Sequence, residues 1–171
     1  MYKNNCTPGH PLSLRDSPCI FCQIAQGKSP CYKVWENNTH LSFLSIFPNT
    51  EGFTVVIPKQ HYDSYAFEQN IQVLQELIVA TKKTAQILDN YFEDVSRCGM
   101  FFEGFGVDHL HSKLFPMHGT GKVKNWQMIE TESFDRYFEQ YPGYLCSNNS
   151  KKADNKNLEQ LAKKIRESSQ P

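Results

Sequence analysis

The sequence has no surplus of charge: 18 Lys and Arg stand against 18 Asp and Glu, with a pI near 7.0. Bulk electrostatics therefore give it no hold on nucleic acid. No apolar run approaches the roughly 20 residues that span a bilayer, so no membrane segment is expected. Residues 1–18 are polar, carry Pro8, Pro11 and Pro18, and lack the apolar stretch of a secretory leader. The six cysteines, Cys6, Cys19, Cys22, Cys31, Cys98 and Cys146, are scattered apart from one pair. That pattern is unlike a disulfide framework and fits a reducing cytoplasm. No internal repeat is present. What remains is a chain 39% apolar and 13% aromatic, long enough at 171 residues for one real core.

The most informative stretch is H-L-H-S-K-L-F-P-M-H, from His109 to His118. Read as a strand, it places His109, His111 and Lys113 on one face and Leu110, Ser112 and Leu114 on the other. Pro116 should end the pairing. Two imidazoles and an ammonium on one face can meet an anion. A neutral imidazole is a good nucleophile toward phosphorus, and an ammonium neutralises phosphate oxygens. Gly104 and Gly106, just upstream, let backbone amides come close to such oxygens. His118 lies past the strand and reads as a loop residue.

Around this stretch the chain reads as an irregular arm over 1–18, a domain over 19–146, and a polar linker with a short amphipathic helix over 147–171. Gln23 to Gly27 reads as one helical turn. Cys31–Trp35 and His40–Phe47 read as a hairpin turning at Asn37-Asn38. Phe53–Ile57 is a third, central strand, and Cys98–Phe102 and the stretch from His109 are the fourth and fifth. One long helix is expected over 70–92, with Ile71, Leu74, Leu77, Ile78, Thr81, Ala85, Leu88 and Phe92 as its stripe. Ser133 caps a further short helix. Leu158, Leu161, Ala162 and Ile165 mark a final helix that needs a surface to lie on.

Cys19-x-x-Cys22 suits a metal or a redox pair. No strand-helix-strand unit of the redox kind surrounds it. His61 and His109 are the candidates to complete a closed Cys2His2 zinc site, which would be structural and would fasten the arm to the sheet.

With C-I-F-C at 19–22, P-N-T-E-G-F-T-V-V-I-P-K-Q-H at 48–61, the long helix and G-F-G-V-D-H-L-H-S-K-L-F-P at 104–116, the sequence resembles the histidine triad superfamily of nucleotidyl hydrolases and transferases. Within it, the likeness is to the zinc-carrying bacterial diadenosine polyphosphate hydrolase branch. The resemblance implies an α+β fold, a five-stranded antiparallel sheet with one long helix, commonly paired into a dimer through helix and sheet edge. It implies zinc on Cys19, Cys22, His61 and His109, and His111 as the nucleophile that takes the nucleoside phosphate. Several positions depart from the family pattern. Lys113 replaces the third histidine, Phe105 a glutamine, Gly106 a serine or threonine, and Ser45 the aspartate that binds ribose hydroxyls. Phe53 stands where Gly-His is common.

The expected function is hydrolysis of a nucleotide-like phosphoanhydride or phosphoramidate through His111, with Lys113 catalytic and Gly104, Gly106, Lys113 and Ser45 around the phosphate or nucleotide. Two alternatives stay open: a nucleotide- or phosphate-binding protein without turnover, and a zinc-braced module whose basic C-terminal helix binds a partner. The ligand partner is a small nucleotide-like phosphate compound.

Overall fold

The computed structural model describes residues 19–121 and 152–168. Five strands form one antiparallel sheet: β1 (Lys33–Glu36), β2 (His40–Leu44), β3 (Thr54–Pro58), β4 (Cys98–Phe101) and β5 (Ser112–Pro116), in the order β1-β2-β3-β5-β4. Among the described residues three α-helices, α1 (Ile20–Ala25), α2 (Ile71–Tyr91) and α3 (Asn155–Ser168), and one 3-10 turn at Ala66–Glu68 accompany them. None of these helices is long and apolar enough to cross a membrane. The arm over 1–18 and the helix expected after Ser133 lie outside the described residues.

Every residue of β2 and β3 is buried because both faces of the sheet are covered. Val34, Leu44, Val56, Leu110 and Leu114 pack on one face against Leu77, Ala80, Ile87 and Leu88 of α2. Leu41, Phe43, Val55 and Ile57 pack on the other against Phe21, Ile24 and Ala25 of α1. The alternation expected from His109 onward holds. Ser112 points to the α2 side, where its hydroxyl meets Thr81 Oγ1 at 2.6 Å. Lys113, opposite Val55 in the register, points to the α1 side.

Several boundaries, and part of the side that α2 buries, differ from the sequence reading. The first helix starts at Ile20, earlier than Gln23, because Cys19 serves as its N-cap residue. The fifth ladder starts at Ser112, since Leu110 N–H is already spent on the Tyr62 carbonyl at 2.7 Å. The helix over 71–91, capped by Asn70 Oδ1 accepting from Gln72 N–H at 2.8 Å, buries Leu77, Thr81 and Leu88 of its expected stripe, with Leu74 and Ala85 partly buried against the same core. Ala80, Thr84 and Ile87 widen that buried side. Ile71 and Ile78 of the stripe stand exposed, as does Val79.

The C-terminal helix finds its surface on this same body. Leu158, Ala162 and Ile165 are buried in the core shared by β1 and α2. Arg166 donates to the Lys33 carbonyl on the outer side of β1.

Beyond β5, His118 ties three loops together. Its Nδ1 lies 3.1 Å from both carboxylate oxygens of Asp94, and its Nε2 3.1 Å from the Glu51 carbonyl. Only the imidazolium can donate from both nitrogens. Partial burial opposes the charge, but the Glu51 carbonyl and Asp94 outweigh it, so the pKa lies above its ordinary 6.5. A pKa raised by folding contributes stability that is whole below the unfolded value and lost as pH rises through the folded one. The gap in melting temperature between the wild type and His118→Gln should therefore be widest below the ordinary 6.5 and narrow as pH rises above it.

Candidate catalytic site and metal centre

On the α1 side of the sheet, Cys19, Cys22, His61 and His109 bring one donor atom each within 4.8 Å of one another. His61 comes from the turn after β3, His109 from the approach to β5, and the cysteines from the start of α1. Cys19 Sγ and Cys22 Sγ each lie 3.5 Å from His109 Nδ1, and Cys22 Sγ lies 3.4 Å from His61 Nδ1. A tetrahedral zinc with bonds of about 2.3 Å to sulfur and about 2.0 Å to nitrogen sets S···N at about 3.5 Å, so the spacing fits that ion. The tautomer fits as well. His109 Nε2–H donates to the Pro58 carbonyl at 2.9 Å, which leaves Nδ1 to coordinate, the usual outer partner of a metal-bound histidine. Burial lowers the pKa of His109 to about 4, which keeps the ring neutral, as a ligand must be.

His111 is almost wholly buried. Its Nδ1–H donates to the His109 carbonyl at 2.7 Å, so the lone pair belongs to Nε2. Burial holds its pKa below the ordinary value, and Lys113 pushes it the same way while the His109 carbonyl and Glu103 oppose. Phe21 stands edge-on to His111, with ring centres 5.4 Å apart, and edge-on to His109 at 5.8 Å. That ring sits between the two cysteines in sequence and fixes the nucleophile candidate from the α1 side.

His111 and Lys113 open into a cleft of about 520 Å³. Its walls are mostly apolar: Ile20 and Phe21 from α1, Phe43 and Val55 from the sheet, Phe47 from the loop after β2, and Phe105. Ser45 lines it too, but its Oγ already accepts from Phe47 N–H at 3.2 Å. Gly106 lines it with φ of 94°. Gly104, with φ of 73°, packs elsewhere: a Cβ there would come within 3.0 Å of the Ser64 carbonyl. So of the two glycines only Gly106 borders the cleft directly. Lys152 and Asn155 close its far rim, held there because Ala153 N–H donates to the Ile46 carbonyl at 3.0 Å.

Lys113 is ion-paired with Glu103, and both side chains are only 14% exposed, so the pair is largely withdrawn from water. Three contributors escaped the sequence reading: Phe21, the Glu103 pairing and the rim at Lys152. The Glu103 pairing follows from strand register rather than from any signal in the sequence. Phe101 lies opposite Lys113 in the β4-β5 register, and Glu103 is two residues further on.

A five-stranded antiparallel sheet, a long helix on one face and a His-x-His at the entry to its fourth position in space define a histidine triad type of protein. The comparison with family models agrees: the HIT domain model matches residues 26–120, and the chain belongs to that family. An uncharacterized HIT-like protein of Methanocaldococcus jannaschii is 32% identical over 130 residues, which cover 73% of this chain and 99% of that one. An adenosine 5'-monophosphoramidase of Saccharomyces cerevisiae is 30% identical over 125 residues, 71% of this chain and 77% of its own. Among solved structures, a Hit-like protein from Bartonella henselae, described as involved in cell-cycle regulation, superposes with a TM-score of 0.65 at 25% identity. It covers 90% of this chain and 97% of its own.

The four-residue cluster makes its own prediction. Native mass spectrometry should find one zinc ion per chain, and Cys22→Ser should lower zinc content and melting temperature together. Addition of a strong chelator to the wild type should lower the melting temperature in the same way.

Proposed function

We propose that the protein hydrolyses nucleotide-like phosphoanhydrides or phosphoramidates in two steps through His111. The observation that carries this is the fixed tautomer of a buried, neutral histidine on a ligand-sized cleft. The apolar walls take the body of the substrate. Gly106 brings backbone close to the phosphate, and Ser45 lies along the nucleotide. In the first step the Nε2 lone pair of His111 forms a bond to phosphorus as the bond to the leaving group breaks. The leaving atom takes the electron pair and a proton from the Lys113 ammonium. In the second step water attacks phosphorus and gives a proton to the Lys113 amine. The phosphorus–nitrogen bond breaks and its pair returns to Nε2. Nδ1–H stays on the His109 carbonyl throughout, which stabilises the cationic ring of the intermediate. Zinc on Cys19, Cys22, His61 and His109 is structural in this reading, since four protein donors leave no position for substrate. The yeast monophosphoramidase relative supports the reaction class.

A second copy of the chain suits the exposed side of α2 and the neighbouring sheet edge. Ile71, Ile78 and Val79 are exposed there, and Met100 on β4, opposite Leu114 and so on the same face, is 47% exposed. An exposed apolar surface of this kind is the usual ground for pairing.

His111→Ala should lower turnover of an adenosine phosphoramidate at least about 1,000-fold with zinc content little changed, and the lost buried ring should lower the melting temperature. The wild type quenched in mid-reaction should carry acid-labile phosphoryl label on His111. Val79→Lys should shift the sedimenting species from dimer to monomer.

A further inference from the structure

Among the described residues, the cleft offers little compensating charge for a phosphate site. Among the described residues its lining holds two cations, Lys113 and Lys152, and no carboxylate. Lys152 is exposed at the far rim. Lys113, the cation beside His111, already has a partner of opposite sign in Glu103. The two are mostly buried, so water does little to screen them. Around the reacting atoms the net charge of this pair is therefore near zero, and a carboxylate stands one lysine head-group away from them. We propose that Glu103 is a specificity-determining residue that selects the leaving group: it rejects polyanionic phosphate leaving groups and admits neutral amines.

This deepens the hydrolase reading and rests on it, since it takes Lys113 as the group that meets the leaving atom. Cleavage of a dinucleoside polyphosphate expels a nucleotide carrying several negative charges. Those charges would have to settle beside Lys113, where Glu103 has already used the favourable field and adds like-charge repulsion. An amine leaving group brings no such charge. It needs one proton, which the Lys113 ammonium supplies, and a nearby carboxylate favours the positive charge that gathers on the nitrogen as that proton arrives. Phe105 extends the argument, because an exposed aromatic ring on the same lining gives polyphosphate oxygens nothing to bond to. The preferred substrate class is therefore the nucleotide phosphoramidate.

The test compares kcat/KM for an adenosine phosphoramidate and for diadenosine tetraphosphate in the wild type, Glu103→Gln and Glu103→Asp. The wild type should favour the phosphoramidate. Glu103→Gln should reduce that preference about 10-fold or more, and Glu103→Asp should restore it. A loss of positioning or of folding alone would lower both substrates together, and an unchanged ratio in Glu103→Gln overturns the proposal. A parallel arm uses His111→Asn, which does not turn over, and measures binding of AMP and ATP by calorimetry. Adding Glu103→Gln in that background should tighten ATP relative to AMP, and no change in their ratio overturns the proposal. If the wild type cleaves neither substrate, the hydrolase reading fails by itself, while the binding arm still decides whether Glu103 excludes polyanions.

Discussion

The fully buried ring of His109 is the point on which the α1 side of the sheet depends. One nitrogen faces the two thiols, the other is tied to the Pro58 carbonyl, and the residue's own carbonyl takes the proton of His111. A single backbone position thus joins the cysteine pair, the end of β3 and the nucleophile candidate. Displacing it would free α1, which carries Phe21 away from His111, and would release the tautomer of His111 in the same movement. The metal-type cluster and the cleft are for this reason parts of one structure.

Much of this was legible in the sequence, for physical reasons that differ by element. The alternation from His109 to Leu114 is a local property of extended chain, so it survived even though the ladder begins only at Ser112. The cluster of Cys19, Cys22, His61 and His109 could be proposed because two cysteines three apart can meet one ion, and the family resemblance pointed to the two histidines. On α2 most of the expected stripe faces the core, and two of its isoleucines do not. Thr81 and Thr84 are buried with their hydroxyls bonded back to the helix at Leu77 and Ala80, so polar residues lie inside while Ile71 and Ile78 lie outside. Hydrophobic periodicity cannot separate a helix side that packs on a sheet from one left for a partner. The Glu103 pairing with Lys113 needed the β4-β5 register, which the sequence does not print.

Three cleft positions where the resemblance implies gripping side chains offer a ligand little. Ser45 Oγ already accepts a bond within its own loop, Phe105 presents a ring, and Gly106 presents backbone alone. Discrimination in such a cleft passes from hydrogen bonds to shape and to the balance of a few charges. The C-terminal segment takes part as well, since Lys152 and Asn155 complete the rim while Leu158 and Ile165 are locked in the core. A helix so used has no apolar face left to offer as a separate docking module.

The β1 edge of the sheet is covered. There α3 packs alongside and Arg166 occupies an outward carbonyl, which blunts that edge against strand addition. Another chain could extend the sheet on this side only by first displacing α3, whose Leu158, Ala162 and Ile165 are locked in the core.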